Sequence, residues 1–185
     1  MTGISITVGL RDERASHDLR ALLERMEQRL PFYRKVGNLL VGSASENFRR
    51  EAGPDGTPWT PLRAATIRAR MRNKQTPITI LKSNSKGKIG STLSGSINFE
   101  ATADEVRIGS PVVYAAIHQL GGTIQKAEGK RWMAGRRFAR KSEAPEGRDV
   151  PIAAHSIVIP ARPFIGVSAA DEEDILDLAE DWLIR

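Results

Sequence analysis

Two periods govern where apolar residues fall along this chain. Ile4, Ile6 and Val8 alternate with Ser5, Thr7 and Gly9, the spacing of a half-buried strand. From about Glu13 to Leu30 the repeat lengthens to Leu19, Leu22, Leu23, Met26 and Leu30, which predicts an amphipathic helix. A second helical pattern runs through Val36, Leu39, Leu40, Val41, Ala44 and Phe48. Pro31 stands between the two, so they form either one kinked helix or two helices that meet there. Ala52-Gly53-Pro54 closes the second. In the loop Glu51 to Leu62, Pro54-Asp55-Gly56 suits a tight turn. Thr60 and Pro61 then read as N-cap and first residue of a helix reaching about Met71.

Pro77 to Leu81 reads as a short strand or a bridge back to the core. Lys82 to Gly90, KSNSKGKIG, has the composition of a mobile loop. Ser96 to Phe99 and Glu105 to Ile108 predict a hairpin turning across Ala101 to Asp104. In Pro111 to Gly122, PVVYAAIHQLGG, the residues Val113, Ala116, Ile117 and Leu120 recur at helical spacing and predict an apolar stripe pressed on the core. Gly121 and Gly122 end that helix. A strand follows at Thr123 to Gln125, then a long polar excursion that is expected to stay mobile or to order on contact. Ser156 to Ile159 resumes the strand pattern. Pro160 to Pro163 fixes an extended path, Phe164 and Ile165 return to the core, and Ser168 caps a last helix with Ile175, Leu176, Leu178, Ala179, Trp182 and Leu183 on one face. The class is α+β: a small, mostly antiparallel sheet packed against N-terminal and C-terminal helices, with long interaction loops. One domain over residues 1–185 is expected, with a basic insertion at 126–150.

Charge sharpens this outline. The net charge is +6, yet Pro61 to Gly90 carries eight bases and no acid, and Lys126 to Arg148 carries eight bases against three acids. The rest of the chain is therefore acidic. Asp171, Glu172, Glu173, Asp174, Asp177, Glu180 and Asp181 oppose only Arg185 at the C-terminal end. Such an acidic end repels phosphate over about a Debye length, ~8–10 Å, which counts against a free DNA binder. Basic surface of one subunit against acidic surface of the next suits self-association. No apolar run approaches the ~18 residues of a membrane span, and the N-terminus lacks signal-peptide character, so use in a cytoplasm, or in a particle assembled there, is expected.

Candidate chemistry is sparse. Cysteine is absent, which removes thiolate nucleophiles and cysteine metal sites. The histidines are His17, His118 and His155; no pair has metal-ligand spacing and no G-x-S-x-G elbow supplies a nucleophile. No catalytic, metal or cofactor site is assigned. Contact residues are. Trp59 is either a plug over the core or an anchor for a partner. Tyr114 and His118 leave one helix flank together and are expected to bond each other or a neighbouring loop. Arg162, held between prolines, can bond a carboxylate or backbone carbonyls. Arg131, Trp132, Arg136, Arg137 and Arg140 in the basic insertion fit an acidic protein surface or nucleic acid. Asp171 and Glu172 stand at a helix start.

Several separated stretches together resemble one family. They are Phe48, Pro54-Asp55-Gly56-Thr57-Pro58-Trp59-Thr60-Pro61-Leu62, Ile80-Leu81, Thr92-Leu93 to Ser96-Ile97, Gly109, Tyr114 to Gly122, and Ile159-Pro160-Ala161-Arg162-Pro163-Phe164-Ile165-Gly166. In order and rough spacing the chain is similar to the virion morphogenesis, or tail-completion, proteins of Mu-like phages and prophages. It departs from that pattern at Gly90-Ser91-Thr92-Leu93 and in the insertion after Lys126. The resemblance implies a non-enzymatic subunit of the phage neck or tail end. That subunit would be a homo-oligomeric ring, hexameric in expectation, with neighbouring neck and tail proteins as partners and genome DNA in its channel. The rival reading is a basic nucleic-acid-binding module.

Overall fold

A computed structural model describes residues 12–82 and 92–184. The strand expected at Ile4 to Val8 and most of the Lys82 to Gly90 loop lie outside the described residues. Helix α1 (Glu13–Glu27) starts where the Asp12 carboxylate accepts the backbone N–H groups of Arg14 and Ala15 at 3.0 and 3.1 Å. Helix α2 (Leu30–Arg50) follows, with Pro31 in its first turn. Proline there loses no helical hydrogen bond, which settles the alternative in favour of two helices. The buried face of α2 is Val36, Leu40, Ala44, Asn47 and Phe48. Gly37 lies on it as well: a Cβ there would fall 2.3 Å from the ring of Phe99, so its absence lets the hairpin β1 (Asn98–Ala101) and β2 (Val106–Gly109) lie against the helix.

Phe48 is the centre of the core. The ring of Trp59 meets it edge-on at 5.5 Å, and that of Phe164 lies against it at 5.2 Å. Ile80, Leu93 and Ala115 complete the cluster. The loop after α2 is built as its residues suggest: the Asp55 carboxylate accepts both the N–H and the hydroxyl of Thr57, and Gly56 takes a positive φ of 78°. One local expectation fails, and another is decided between its two alternatives. Thr60-Pro61 does not start a helix; α3 runs Ala64–Arg72 with Arg63 before it, because the carbonyls of Thr60 and Pro61 serve as acceptors for Arg162. Pro77 to Leu81 is the bridge back to the core rather than the strand, with Ile80 buried in the central cluster and Leu81 packed against it. Its Ile80 N–H is taken by the Glu51 carboxylate at 2.6 Å, and Arg70 donates to the carbonyls of Thr79 and Lys82, so side chains replace a strand partner.

The helix of the PVVYAAIHQLGG stretch is short, α4 (Ala115–Leu120), and its burial is reversed from expectation. Val113 is 98% and Leu120 77% exposed, while Ala115 is buried. Val112, Ala115 and Gln119 have helical spacing too, and that set faces the core, because Gln119 bonds the chain across from it. Beyond Gly121 the excursion is ordered. Strands β3 (Gly122–Lys126) and β7 (His155–Ile159) pair antiparallel. So do β4 (Gly129–Ala134) and β6 (Arg148–Ile152), with the short β5 (Arg137–Phe138) folded back on β4. Between the Lys126–His155 and Gly129–Ile152 rungs each strand contributes two residues, 127–128 and 153–154, to the interruption. The register therefore carries through, and the two ladders form one β-ribbon of about 40 Å contour length, at ~3.3 Å per residue.

Where one sheet was expected there are three small antiparallel ones: the β1–β2 hairpin and the two halves of this ribbon. Helix α5 (Ala169–Ile184) returns along α2 and α1. At its start Ser168 and Asp171 form a reciprocal cap. The Asp171 N–H donates to the Ser168 hydroxyl at 3.1 Å, and the Asp171 carboxylate accepts the Ser168 N–H at 2.8 Å, as in a capping box with aspartate in the glutamate position.

Candidate assembly surfaces

The contact residues fall into three places, each fixed by a different part of the fold. The first is a knot under the Pro160 to Phe164 strap. Its stiff, proline-bracketed backbone turns donors and acceptors toward neighbours on both sides, and those of Arg162, Pro163 and Phe164 find partners there. The Arg162 N–H donates to the His118 carbonyl at 2.8 Å, and its guanidinium to the carbonyls of Thr60 at 2.9 Å and Pro61 at 3.4 Å. Trp59 Nε1 donates to the Pro163 carbonyl at 2.8 Å. Gln119 Oε1 accepts the N–H groups of Phe164 and Ile165 at 2.9 and 3.1 Å, and its Nε2 donates to the Ile165 carbonyl at 2.7 Å. Asn47 Nδ2 reaches the Phe164 carbonyl at 3.3 Å.

This assigns Trp59 and Arg162. They are 4% and 7% exposed: Trp59 is the core plug, and Arg162 is spent on backbone carbonyls rather than on a partner's carboxylate. His118 meets Tyr114 ring edge to ring face at 5.9 Å. The expected loop contact is made by the His118 carbonyl, whereas its buried Nδ1 has no hydrogen-bond partner among the described residues. Burial, and then the positive charge of Arg162, hold the His118 pKa below its ordinary value. The residue that sequence reasoning missed is Gln119. The signal was there: a polar side chain in register with Val112 and Ala115, directly before a Leu-Gly-Gly helix stop.

The second place is the distal half of the ribbon. From Gly122 to Ala161 no residue is fully buried, and β4, β5 and β6 pack on one another rather than on the helices. It holds its shape by local contacts. Trp132 Nε1 donates to the Ala144 carbonyl at 2.7 Å, the Lys141 ammonium lies 4.9 Å from the Trp132 ring centre, and the Arg131 guanidinium 4.8 Å from that of Phe138. Cation–aromatic stacking and a strand ladder thus supply order where apolar content predicted none. Arg131, Arg136, Arg137 and Arg140 are exposed, and Trp132 is half-buried.

The third place is the outer side of α5. Glu172, Glu173, Asp174, Asp177, Glu180 and Asp181 are all exposed. Asp171 is not among them: at 6% exposure it accepts from Ser43 at 2.8 Å as well as from Ser168, and so joins α5 to α2. Between these helices runs a cleft of about 740 Å³ with Leu39, Leu178 and Ile184 in its lining.

A helical body with an interior tied by backbone-directed side chains, a projecting basic ribbon and an acidic helix are features of the kind that suits a building block of an assembly. The chain belongs to the phage virion morphogenesis family, which it matches over residues 10–184. It is 30% identical over 145 residues to "Putative capsid assembly protein G" of Escherichia phage Mu, covering 78% of this chain and 72% of that protein. It is 28% identical over 172 residues, 90% of each chain, to "Mu-like prophage FluMu G protein 2" of Haemophilus influenzae. No solved structure matches it.

Proposed function

We propose that this protein is a non-enzymatic structural subunit of the phage neck or tail end. It assembles in the host cytoplasm with copies of itself into a ring, hexameric in expectation, that completes the tail and joins it to the head connector. Adjoining neck and tail proteins dock on the ring, and genome DNA passes through it.

The observation that carries this reading is surface left uncovered. Large apolar side chains are among what is exposed: Leu19 and Leu23 on α1, Val113 and Leu120 around α4, Leu176 and Ile184 on α5. Apolar surface of that extent is typical of proteins that function with a partner against it. The amounts of basic and acidic surface are well matched for contact between copies, while the acidic helix disfavours the rival nucleic-acid-binding reading.

Light scattering and electron microscopy of the purified protein test the proposal. Closed multi-subunit rings are expected. A salt-sensitive monomer that holds DNA tightly would overturn it. In a lysate that lacks the protein, heads and tails should accumulate unjoined.

A further inference from the structure

The basic ribbon and the α2–α5 cleft are opposite in charge, and neither is covered by its own chain. We propose that the distal ribbon of one copy seats in the α2–α5 cleft of the neighbouring copy. This rests on the self-assembly reading above and names the two surfaces that carry it. The contact joins unlike patches and is therefore heterologous: repeated from subunit to subunit it closes into a ring when the rotation allows.

Shape and chemistry support the pairing from both sides. On the ribbon, the Arg131 guanidinium lies 4.8 Å from the ring of Phe138, which is half exposed, and Arg140 lines the same hollow, while Arg137 precedes Phe138 in β5 and is exposed, so the tip presents an apolar ring among guanidinium groups. On the cleft, Leu39, Leu178 and Ile184 lie beside Asp174, Asp177, Glu180 and Asp181, which outnumber the one base of the lining, Lys35. An apolar centre with a charged rim meets its complement, the arrangement of specific protein contacts. Guanidinium groups favour carboxylates in particular, because their planar fork can donate two parallel hydrogen bonds. The ribbon is also suited to reach across a subunit boundary. Its register is continuous for about 40 Å, its base is tied into the core through the strap, and the strands of its distal half pack chiefly on one another. Nucleic acid is the less favoured occupant of the ribbon, because Glu128, Glu143 and Glu146 interrupt its bases and each carboxylate repels a phosphate backbone.

Charge reversal tests the pairing. One variant carries Arg131→Glu, Arg137→Glu and Arg140→Glu; the other carries Asp174→Lys, Asp177→Lys and Glu180→Lys. All six side chains are exposed, and circular dichroism confirms that each variant folds. Each alone should lose the wild-type assembly on sedimentation, and an equal mixture should regain it, since every reversed surface then finds its complement. The cysteine-free sequence permits a second measurement that tolerates weak assembly. Under oxidation a chain with both Arg137→Cys and Asp177→Cys should give a ladder of linked species, while either substitution alone gives nothing beyond a dimer. If both reversed variants assemble as wild type does, and no ladder forms, the docking is overturned and the ring reading stands. A wild type that stays monomeric at every concentration overturns the ring reading, and the docking with it. An arm variant that keeps the wild-type size but loses retention on DNA makes nucleic acid the ribbon's partner instead.

Discussion

Replacing Gln119 with leucine keeps the size of the side chain and removes three hydrogen bonds at once. Two backbone N–H groups, of Phe164 and Ile165, and one carbonyl, of Ile165, lose their partner. Each such bond contributes about 1 kcal/mol net, and more where water cannot replace it. These groups are partly buried, so the lower figure applies to each, and Gln119→Leu should cost about 3 kcal/mol. For a chain of this length 1 kcal/mol moves the melting temperature by about 2–4 °C, giving a fall of roughly 6–12 °C. Calorimetry of wild type and variant measures it. Gln119→Glu is the control: it keeps the acceptor for both N–H groups, loses the donor to the Ile165 carbonyl, and should fall between the two. A drop for Gln119→Leu of less than about 2 °C would refute the claim that this side chain clamps the strap, because water would then be satisfying the backbone as well as glutamine does.

Three further outcomes follow from the same geometry. Gly121 has a φ of 72°, and a Cβ there would sit 2.7 Å from the backbone nitrogen of Ala161, so Gly121→Ala should cost more than the ~1–2 kcal/mol of the left-handed conformation alone in denaturant melts. Asp171→Ala removes the cap of α5 and the bond to Ser43 and should lose about 1–2 kcal/mol, whereas exposed Glu172→Ala should stay within about 0.5 kcal/mol of wild type. Because the folded-state pKa of His118 is depressed from 6.5, the unfolded chain binds the proton first as pH falls. The His118 contribution is complete above about pH 6.5 and is lost as pH drops toward and through the folded pKa. Melting temperatures recorded on descending pH should show this loss in wild type and a smaller one in His118→Gln.

Much of the framework was legible because it rests on local chemistry. Pro31 can only begin a helix or break one, Asp55 and Gly56 demand a turn, and the Pro160 to Pro163 pair forces the strap to be extended. What was not legible depends on partners distant in sequence. The α4 segment carries two sets of residues at helical spacing, and periodicity alone favours the more apolar, Val113 to Leu120. The winning set contains Gln119, whose value comes from carbonyl and amide groups 45 and 46 residues away. The strands at the base of the ribbon were legible, whereas those of its distal half were not, for a similar reason. Strand hydrogen bonds are indifferent to side-chain polarity, and the rung from Arg131 to Val150 leaves no mark in a composition rich in arginine and glycine. Asp171 looked like one more surface acid, yet a hydroxyl from α2 and the cap of its own helix draw it inside.

The strap matters to assembly through the ribbon rooted beside it. Strands β3 and β7 leave the core at Gly122 and Ile159, one residue from the strained turn at Gly121 and the first proline of the strap. A stiff two-stranded extension of about 40 Å acts as a lever, so a tilt of about 10° at that root would carry the tip about 7 Å sideways. Displacement of that size exceeds the spacing between adjacent strands of a sheet, ~4.8 Å. In the docking proposed above, the few hydrogen bonds that aim the ribbon where it leaves the core would set the tolerance of the assembly, and substitutions that never touch a neighbouring subunit would still misplace it.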